Sequence, residues 1–142
     1  MMMETRVRRG KSLYVAYDLH NKLVDPKSAE DCIADDSLVW YAEAGTSPFD
    51  ITVGYATARE VPGVCLFLNS AGVRYHWRGQ GLHKRLIKVR TKYAKRNGLV
   101  AITYTSPDNI VSANNLISCG FKLYTPANEW VGPNFLYWRL EP

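Results

Sequence analysis

The chain has 142 residues, of which 46% are hydrophobic and 22% are charged, and its net charge is +5 at pH 7. This length predicts one domain, residues 1–142, with a core of its own, and the apolar and charged fractions are ordinary for a globular protein. No apolar run approaches the length of a membrane span, and three cysteines at unrelated spacings argue against a disulfide framework, so we expect a cytoplasmic protein with no membrane partner.

The first half of the chain is predicted to form two helices and a three-stranded antiparallel meander. Residues 1–10 are polar and basic, and we expect them to be disordered. The apolar spacing predicts a helix over Lys11–Val24 and a second, short helix over Ser28–Ala34. Runs of β-branched and aromatic residues, separated by glycine and proline turns, then predict strands at Leu38–Ala44, Ile51–Ala58 and Val64–Val73.

The second half begins with a glycine turn that leads into a basic helix. This helix carries apolar residues at i, i+4, i+7 and i+11 from Leu82 onward and ends at Asn97 and Gly98. The nearly continuous apolar run Leu99–Tyr104 indicates a strand buried on both faces, as in parallel pairing. A helix over Asn109–Ser118 and strands at Phe121–Tyr124 and Asn134–Leu140 complete the order. We therefore predict an α/β sandwich: a mixed, mostly antiparallel sheet with one central parallel pair and helices on both faces.

The glycine turn at the start of the basic helix is predicted to bind an anion. The first N–H groups of a helix have no internal partner, the helix dipole adds positive charge there, and glycine lets an anion approach the backbone. Nine of the eighteen lysines and arginines lie between Arg74 and Arg96, with no acid among them. We interpret Arg78–His83 as a phosphate site and the later lysines as a solvated basic face. A nucleic-acid-binding module is the less favoured alternative.

Two motifs on either side of the strand Leu99–Tyr104 carry a resemblance to a known family. The segment from Val73 to Leu86 reads VRYHWRGQGLHKRL, and Asn109-Ile110-Val111-Ser112 is followed by Gly120-Phe121. Together they resemble the two signatures of the GNAT superfamily of N-acetyltransferases, Arg/Gln-x-x-Gly-x-Gly/Ala and Asn-x-x-Ala/Ser with a later Gly-Phe. The resemblance extends from Leu38 to Tyr124 and implies a GNAT-like sheet whose central parallel strands splay apart at the cofactor site.

The resemblance also implies a reaction and a cofactor. The expected activity is the transfer of an acetyl group from acetyl-CoA to a primary amine of a protein or a small molecule. The pyrophosphate would lie on the glycine turn, the pantetheine arm along the end of the third strand, and the N–H near Val73 would polarise the thioester carbonyl. The implied cofactor-binding residues are Ala71, Gly72, Val73, Arg78, Gly79, Gln80, Gly81, Leu82, His83, Lys84 and Asn109. A protein amine, a polyamine, an aminoglycoside and a small metabolite all stay open as acceptors.

Three departures from the family pattern bear on catalysis. His83 replaces the usual small residue of the first signature, Leu116 stands where many members carry a tyrosine that protonates the departing thiolate, and the family's first strand is not obvious before Lys11. A GNAT-fold domain that binds acyl-CoA without catalysis therefore remains an alternative.

The sequence does not assign catalytic residues. Candidate bases and acids without motif support are Glu43, Glu60, Glu129, Tyr104 and Tyr124, and each carboxylate is more readily interpreted as an ordinary surface charge. The aromatic cluster Trp130, Phe135, Tyr137 and Trp138 is interpreted as strand core, with an acceptor wall or a homodimer contact as the alternatives.

Overall fold

The computed structural model describes residues 4–10, 12–23 and 33–142, which form one seven-stranded sheet and three α-helices. The strands are β1 (Thr5–Gly10), β2 (Leu38–Ala44), β3 (Ile51–Val61), β4 (Cys65–Val73), β5 (Val100–Thr105), β6 (Lys122–Tyr124) and β7 (Leu136–Leu140). The helices are α1 (Tyr14–Leu23), α2 (Leu82–Arg96) and α3 (Ile110–Ser118). None of the helices in this part of the chain has the length and apolar character that crossing a bilayer requires.

The strand order is β1-β2-β3-β4-β5-β7-β6, and all neighbours are antiparallel except β4 and β5. Helix α2 connects these two parallel strands, because parallel neighbours need a long crossover rather than a tight turn. The predicted mixed sheet with one central parallel pair is therefore confirmed.

Helices cover both faces of the sheet. Along β2, Val39 packs with Leu19 of α1, whereas the next residue, Trp40, packs in the cluster that contains Leu86 of α2. Successive side chains of a strand point to opposite faces, so one buried strand supplies both cores. This two-sided burial explains why β2 is apolar along most of its length.

The edge strand β1 corrects, for Thr5–Gly10, the expectation that residues 1–10 are disordered, and it is the first strand that is not obvious in the sequence before Lys11. Thr5–Gly10 pairs antiparallel with β2 along its whole length. Arg6 and Arg8 both reach the buried carboxylate of Glu43, at 3.1 and 2.6 Å. Ion pairs to the neighbouring strand therefore help to hold this strand, and Val7 is its one side chain packed against the main core. Its sequence lacks the apolar alternation that would have revealed it.

The remaining differences concern element ends. Helix α1 begins at Tyr14 rather than Lys11, and β3 continues to Val61 because its end pairs with the start of β4. Strand β7 begins two residues later than predicted, after Asn134, which has a φ of +68°. Of the helix predicted over Ser28–Ala34, residues 28–32 lie outside the described residues, and the last two are not helical.

The register of β3 and β4 shifts in the middle of the pair. Thr57 lies opposite Ser70, but Arg59 lies opposite Phe67. Two residues of β4, at positions 68 and 69, therefore oppose a single residue of β3, which is the geometry of a β-bulge. A bulge bends the strand that contains it, and this one lies where β4 leaves its parallel neighbour.

Replacement of Leu86 by alanine tests the packing of α2 on the sheet. Leu86 is fully buried, so Leu86→Ala should lower the free energy of unfolding by about 2–5 kcal/mol through lost burial and the cavity left behind. Leu123, which is 57% exposed, is the matched control, and Leu123→Ala should change stability by less than about 0.5 kcal/mol. Urea denaturation followed by circular dichroism measures both, and equal losses would contradict this placement of α2.

Candidate functional site

The central feature of the site is an opening between the two parallel strands. Their backbone pairing covers three residues of each strand and ends at Phe67 and Ile102. Just beyond, the Thr103 hydroxyl donates to the Leu68 carbonyl at 2.9 Å. No further backbone pair joins β4 to β5 within the described residues, so the strands diverge toward their C-terminal ends.

The end of β4 presents backbone groups to this opening. The Arg74 N–H donates to the Val53 carbonyl at 2.8 Å, on the β3 side. Because successive residues of a strand direct their backbone groups to opposite sides, Ala71 and Val73 direct theirs toward the opening. The Arg78 Nε donates to the Val73 carbonyl at 3.0 Å. The N–H groups of Ala71 and Val73 are therefore available to a ligand that lies along β4.

The glycine turn has a backbone conformation that favours glycine. Gly79 and Gly81 have φ angles of +76° and +79°, which side chains disfavour, and a Cβ on either glycine would have open space around it. Gly81 is the N-cap of α2, without a side-chain cap, and its carbonyl accepts the first helical hydrogen bond from Arg85 at 3.0 Å. The N–H groups of residues 82–84 thus have no acceptor in the preceding turn.

A cavity of about 520 Å³ lies between the end of β4, the glycine turn and the start of α3. Every cofactor-binding residue predicted from the sequence lines it, except Gln80, which lies exposed in the turn. Arg78 and Lys84 supply positive charge, and no acid within the described residues lines the cavity. Such a cavity, with free amides, cations and open glycines, suits a phosphorylated ligand.

A second cavity, of about 290 Å³, occupies the gap between β4 and β5. It shares Ala71, His83, Asn109 and Ser112 with the first, so the two cavities adjoin, and together they are called the channel. The Asn109 Oδ1 accepts the Ser112 N–H at 3.2 Å and caps α3. Its remaining amide atoms lie at the point where the two cavities meet.

One face of α2 forms the floor of the second cavity. His83, Ile87 and Arg90 follow one another at i, i+4 and i+7, and all three line it. The His83 Nδ1 is buried without a hydrogen-bond partner among the described residues. Burial, followed by the charges of Arg90 and Arg78, lowers the pKa of His83, so the ring is neutral at pH 7.

Arg90 connects this floor to the sheet. Its buried guanidinium donates to the carbonyls of Leu86, Thr57 and Ser70 at 3.0, 3.1 and 3.5 Å. Burial lowers the pKa of Arg90 to about 9, which still leaves a cation at neutral pH. The last two of these carbonyls belong to the residue pair next to the β-bulge, so Arg90 stabilises the bent part of β4.

A buried polar network lies on the α1 side of the opening. The His20 Nδ1 is 2.7 Å from the Tyr55 hydroxyl and 3.0 Å from the Ser70 hydroxyl, and the two hydroxyls are 2.7 Å apart. His20 and Ser70 line the second cavity. None of these three residues was predicted from the sequence to belong to a site. The spacing of His20, one helical turn after Ala16, could have indicated that its side chain lies on the buried face of α1.

The carboxylates considered as bases lie elsewhere. Glu43 is paired with Arg6 and Arg8 at the β1 edge, and Glu60 accepts a hydrogen bond from the Tyr93 hydroxyl at 2.7 Å. Together with the exposed Glu129, they contribute to neither cavity. The structure therefore brings none of the three carboxylate candidates to the opening.

The two tyrosine candidates and Leu116 are placed as follows. Tyr104 lines the second cavity, whereas Tyr124 lies outside both cavities and packs edge-on against Tyr137. Leu116, the residue that departs from the family's tyrosine, is 5% exposed and also lines the second cavity.

Aromatic side chains form a wall beside the opening. Trp130 packs edge-on against Phe67 and Tyr104, with ring centroids 5.1 and 5.7 Å apart, and remains 39% exposed. The neighbours of Phe67 along β4, Leu66 and Leu68, point into the core that packs against α2. Phe67 points to the opposite face, so this wall lies on the α1 side of the sheet. Trp138 instead lies in the core, as predicted, with its Nε1 donating to Thr105 at 3.0 Å.

Comparisons with known proteins agree with this architecture. The model of the acetyltransferase (GNAT) family matches residues 9–121. A comparison with curated protein sequences found no match. The fold is similar to IAA acetyltransferase from Bacillus cereus ATCC 14579, with a TM-score of 0.76, 14% identity and coverage of 98% of this chain and 100% of that one.

Two further solved structures hold a ligand. The Bacillus subtilis acetyltransferase in complex with CoA has a TM-score of 0.74 and 15% identity, over 98% of this chain and 99% of that one. A GNAT family acetyltransferase from Elizabethkingia anophelis with acetyl-CoA bound has a TM-score of 0.76 and 12% identity, over 97% and 98%. At these identities the likeness shows a shared fold.

The buried imidazole of His83 predicts a pH dependence of stability. Because its pKa is lower in the folded than in the unfolded chain, the unfolded chain takes up a proton first as the pH falls below about 6.5. The free energy of unfolding should therefore fall between pH 7.5 and pH 5, and less steeply in His83→Asn. Urea denaturation at both pH values measures this, with His76→Asn at an exposed ring as control. Equal pH dependence in His83→Asn and the wild type would contradict the prediction.

Proposed function

Because the chain belongs to the acetyltransferase (GNAT) family, we propose that it is an acetyl-CoA-dependent N-acetyltransferase that acts on a primary amine. The observation that carries this proposal is the channel of two adjoining cavities at the diverging strands β4 and β5, with a glycine turn and a helix start at one end. A channel that combines an anion site with a free strand edge matches a ligand that is phosphorylated at one end and extended at the other.

The larger cavity fits the nucleotide half of acetyl-CoA. The N–H groups at the start of α2 would hold the pyrophosphate, because they have no internal acceptor and the helix dipole favours an anion there. Arg78, fastened to the Val73 carbonyl, and Lys84 would add charge on either side. Gly79 and Gly81 adopt their positive φ angles without backbone strain, and because they lack a Cβ they would let the phosphates approach the backbone closely.

The smaller cavity fits the thioester end. The pantetheine arm would pair with the N–H groups of Ala71 and Val73, and the Val73 N–H would stabilise the negative charge that develops on the carbonyl oxygen. Asn109 would contact the arm from the α3 side, where its amide borders both cavities. Acetyl-CoA supplies the activated acetyl group, and these residues bind and orient it.

The acceptor would approach from the α1 side, along the aromatic wall of Phe67, Tyr104 and Trp130. An amine of a protein, a polyamine, an aminoglycoside and a small metabolite all remain candidates. A cytoplasmic location stays a prediction from the cysteine content, and a homodimer stays a prediction from the aromatic C-terminal segment.

A second candidate function is the binding of acyl-CoA without catalysis. Leu116 at the second cavity and the lack of any carboxylate among the described residues around it favour this alternative. Both candidate functions require binding of an acyl-CoA, but only the first includes transfer of the acetyl group to an amine.

Substitution of Gly81 by aspartate tests the phosphate site. A carboxylate about 4 Å from a phosphate charge costs about 1–4 kcal/mol, depending on exposure, so Gly81→Asp should weaken CoA binding by about 5- to 700-fold. Gly63 is the matched control, because it also has a positive φ, of +72°, and open space, but lies in the β3–β4 turn. Isothermal titration calorimetry should give Gly63→Asp an affinity within twofold of the wild type, and unchanged affinity in Gly81→Asp would contradict the placement.

Thiol release from acetyl-CoA tests the reaction. The wild type should release CoA faster when supplied with one member of a panel made of spermidine, an aminoglycoside and a lysine-containing peptide, and mass spectrometry should find that amine heavier by one acetyl group. Tight CoA binding with no thiol release for any amine would favour the binding-only alternative. Binding of duplex DNA at physiological salt, with no binding of CoA, would favour the nucleic-acid module instead.

A further inference from the structure

Acetyl transfer to a primary amine, as proposed above, needs a group that removes the acceptor's proton. An amine with a pKa of about 10.4 is almost entirely protonated at neutral pH, and an ammonium group has no lone pair with which to attack a thioester. A positioned proton acceptor typically contributes about 10²–10⁴-fold to the rate of such a reaction.

The side chains around the second cavity restrict which group can take this proton. No aspartate or glutamate lines it within residues 4–10, 12–23 and 33–142. Arg90 is a donor only. Imidazoles are the side chains that ordinarily exchange protons near neutral pH, and two line the cavity, His20 and His83.

The two imidazoles differ in position. His83 lies on α2, at the phosphate end of the channel, where burial and two arginines disfavour its protonation. His20 lies on α1, on the same side of the sheet as the aromatic wall beside Trp130. Only His20 therefore faces the side from which an acceptor would reach the thioester.

We propose that Ser70 and His20 form a proton relay, in which the Ser70 hydroxyl contacts the acceptor amine and the His20 Nδ1 receives the proton through it. The Ser70 Oγ is half-buried at the cavity wall and 3.0 Å from the His20 Nδ1. The Tyr55 hydroxyl, 2.7 Å from both atoms, orients the pair. His20 acts through Ser70 and is itself 1% exposed, which keeps water away from the ring.

The proposed step balances as follows. The ammonium group passes one proton to the Ser70 oxygen while the Ser70 proton moves to the His20 Nδ1. The free amine then forms a C–N bond to the acetyl carbonyl, the C–S bond breaks, and CoA leaves as a thiolate. The thiolate takes the second amine proton, and His20 returns the first proton to solvent through the Ser70 hydroxyl after the acetylated product leaves.

The groups around the relay are compatible with this role. Among residues 4–10, 12–23 and 33–142, the titratable or charged side chains that line the same cavity are Arg90 and His83 on α2 and Tyr104 on β5, while Tyr55 on β3 contacts the ring directly. The Arg90 guanidinium donates to the Ser70 carbonyl and holds the backbone of that residue in place. The relay requires that the His20 Nδ1 carry no proton before the acceptor binds.

Two substitutions break the relay in different ways. His20→Asn places an amide near the position of Nδ1, which can still bond the two hydroxyls but cannot take a proton. Ser70→Ala removes the hydroxyl and leaves the buried ring. Each should lower kcat with the reactive amine about 10²–10³-fold at pH 7, and the double variant should be no slower than either one. The matched control is His76→Asn, at an exposed ring outside both cavities, which should keep wild-type rates.

The pH profile separates a relay from a structural role. Wild-type kcat/KM should level off above the pH at which His20 loses its proton. In His20→Asn and Ser70→Ala it should keep rising about tenfold per pH unit up to pH 9, because only the rare free amine can react. CoA affinity by calorimetry should stay within twofold of the wild type, which shows that the variants are folded.

A spectroscopic measurement supplies a readout that does not need turnover. In ¹⁵N spectra of histidine-labelled protein at pH 7.5, the signal that disappears in His20→Asn should come from a ring whose Nδ1 carries no proton. A protonated Nδ1, or variant pH profiles parallel to the wild type, would overturn the relay and leave the proposed acetyl transfer standing. No turnover in the wild type with any amine would overturn both.

Discussion

The divergence of β4 from β5 is the constraint on which the rest of the structure depends. A parallel pair that continued past Phe67 would consume the backbone groups of Ala71 and Val73 and close the channel. The β-bulge at residues 68 and 69 prevents this, because one extra residue bends β4 away from its neighbour. Each later feature follows from this bend: a free strand edge, a gap that side chains from both faces of the sheet can line, and a helix start at its end.

The opening places polar groups where a sheet would otherwise be filled with apolar side chains. An unpaired buried cation is costly, and Arg90 avoids that cost by donating to three carbonyls, two of them next to the bulge. His20 and its two hydroxyl partners do the same on the opposite face. The two sets of hydrogen bonds meet at Ser70: its hydroxyl contacts His20, and its carbonyl accepts from Arg90. The same residue therefore takes part in stabilising the bulge and in the proposed proton relay.

Elements with a clear apolar pattern in their own sequence were predicted accurately, and an element held by contacts with a distant segment was not. Strand β2 was predicted residue for residue because six of its seven residues are apolar, and the basic helix because its apolar residues repeat with the helical period. Strand β1 was missed, because Arg6 and Arg8 are held by a carboxylate on another strand and a local pattern cannot show a partner 35 or more residues away. The proposed phosphate turn could be predicted because it is contiguous in sequence, whereas the carboxylate candidates could not be ranked without knowing which faced the cavity.

The sequence by itself determined the order of the elements from β2 onward, the mixed sheet and the glycine turn, since these depend on periodicity and on backbone conformations that only a few residues accept. Only the tertiary structure decided that no carboxylate within the described residues reaches the gap and that His20 of the first helix meets Ser70 of the fourth strand there. The physical reason is distance along the chain. Groups 50 residues apart are brought within 3.0 Å by the packing of α1 on a bulged strand, and no property of either segment alone encodes that contact.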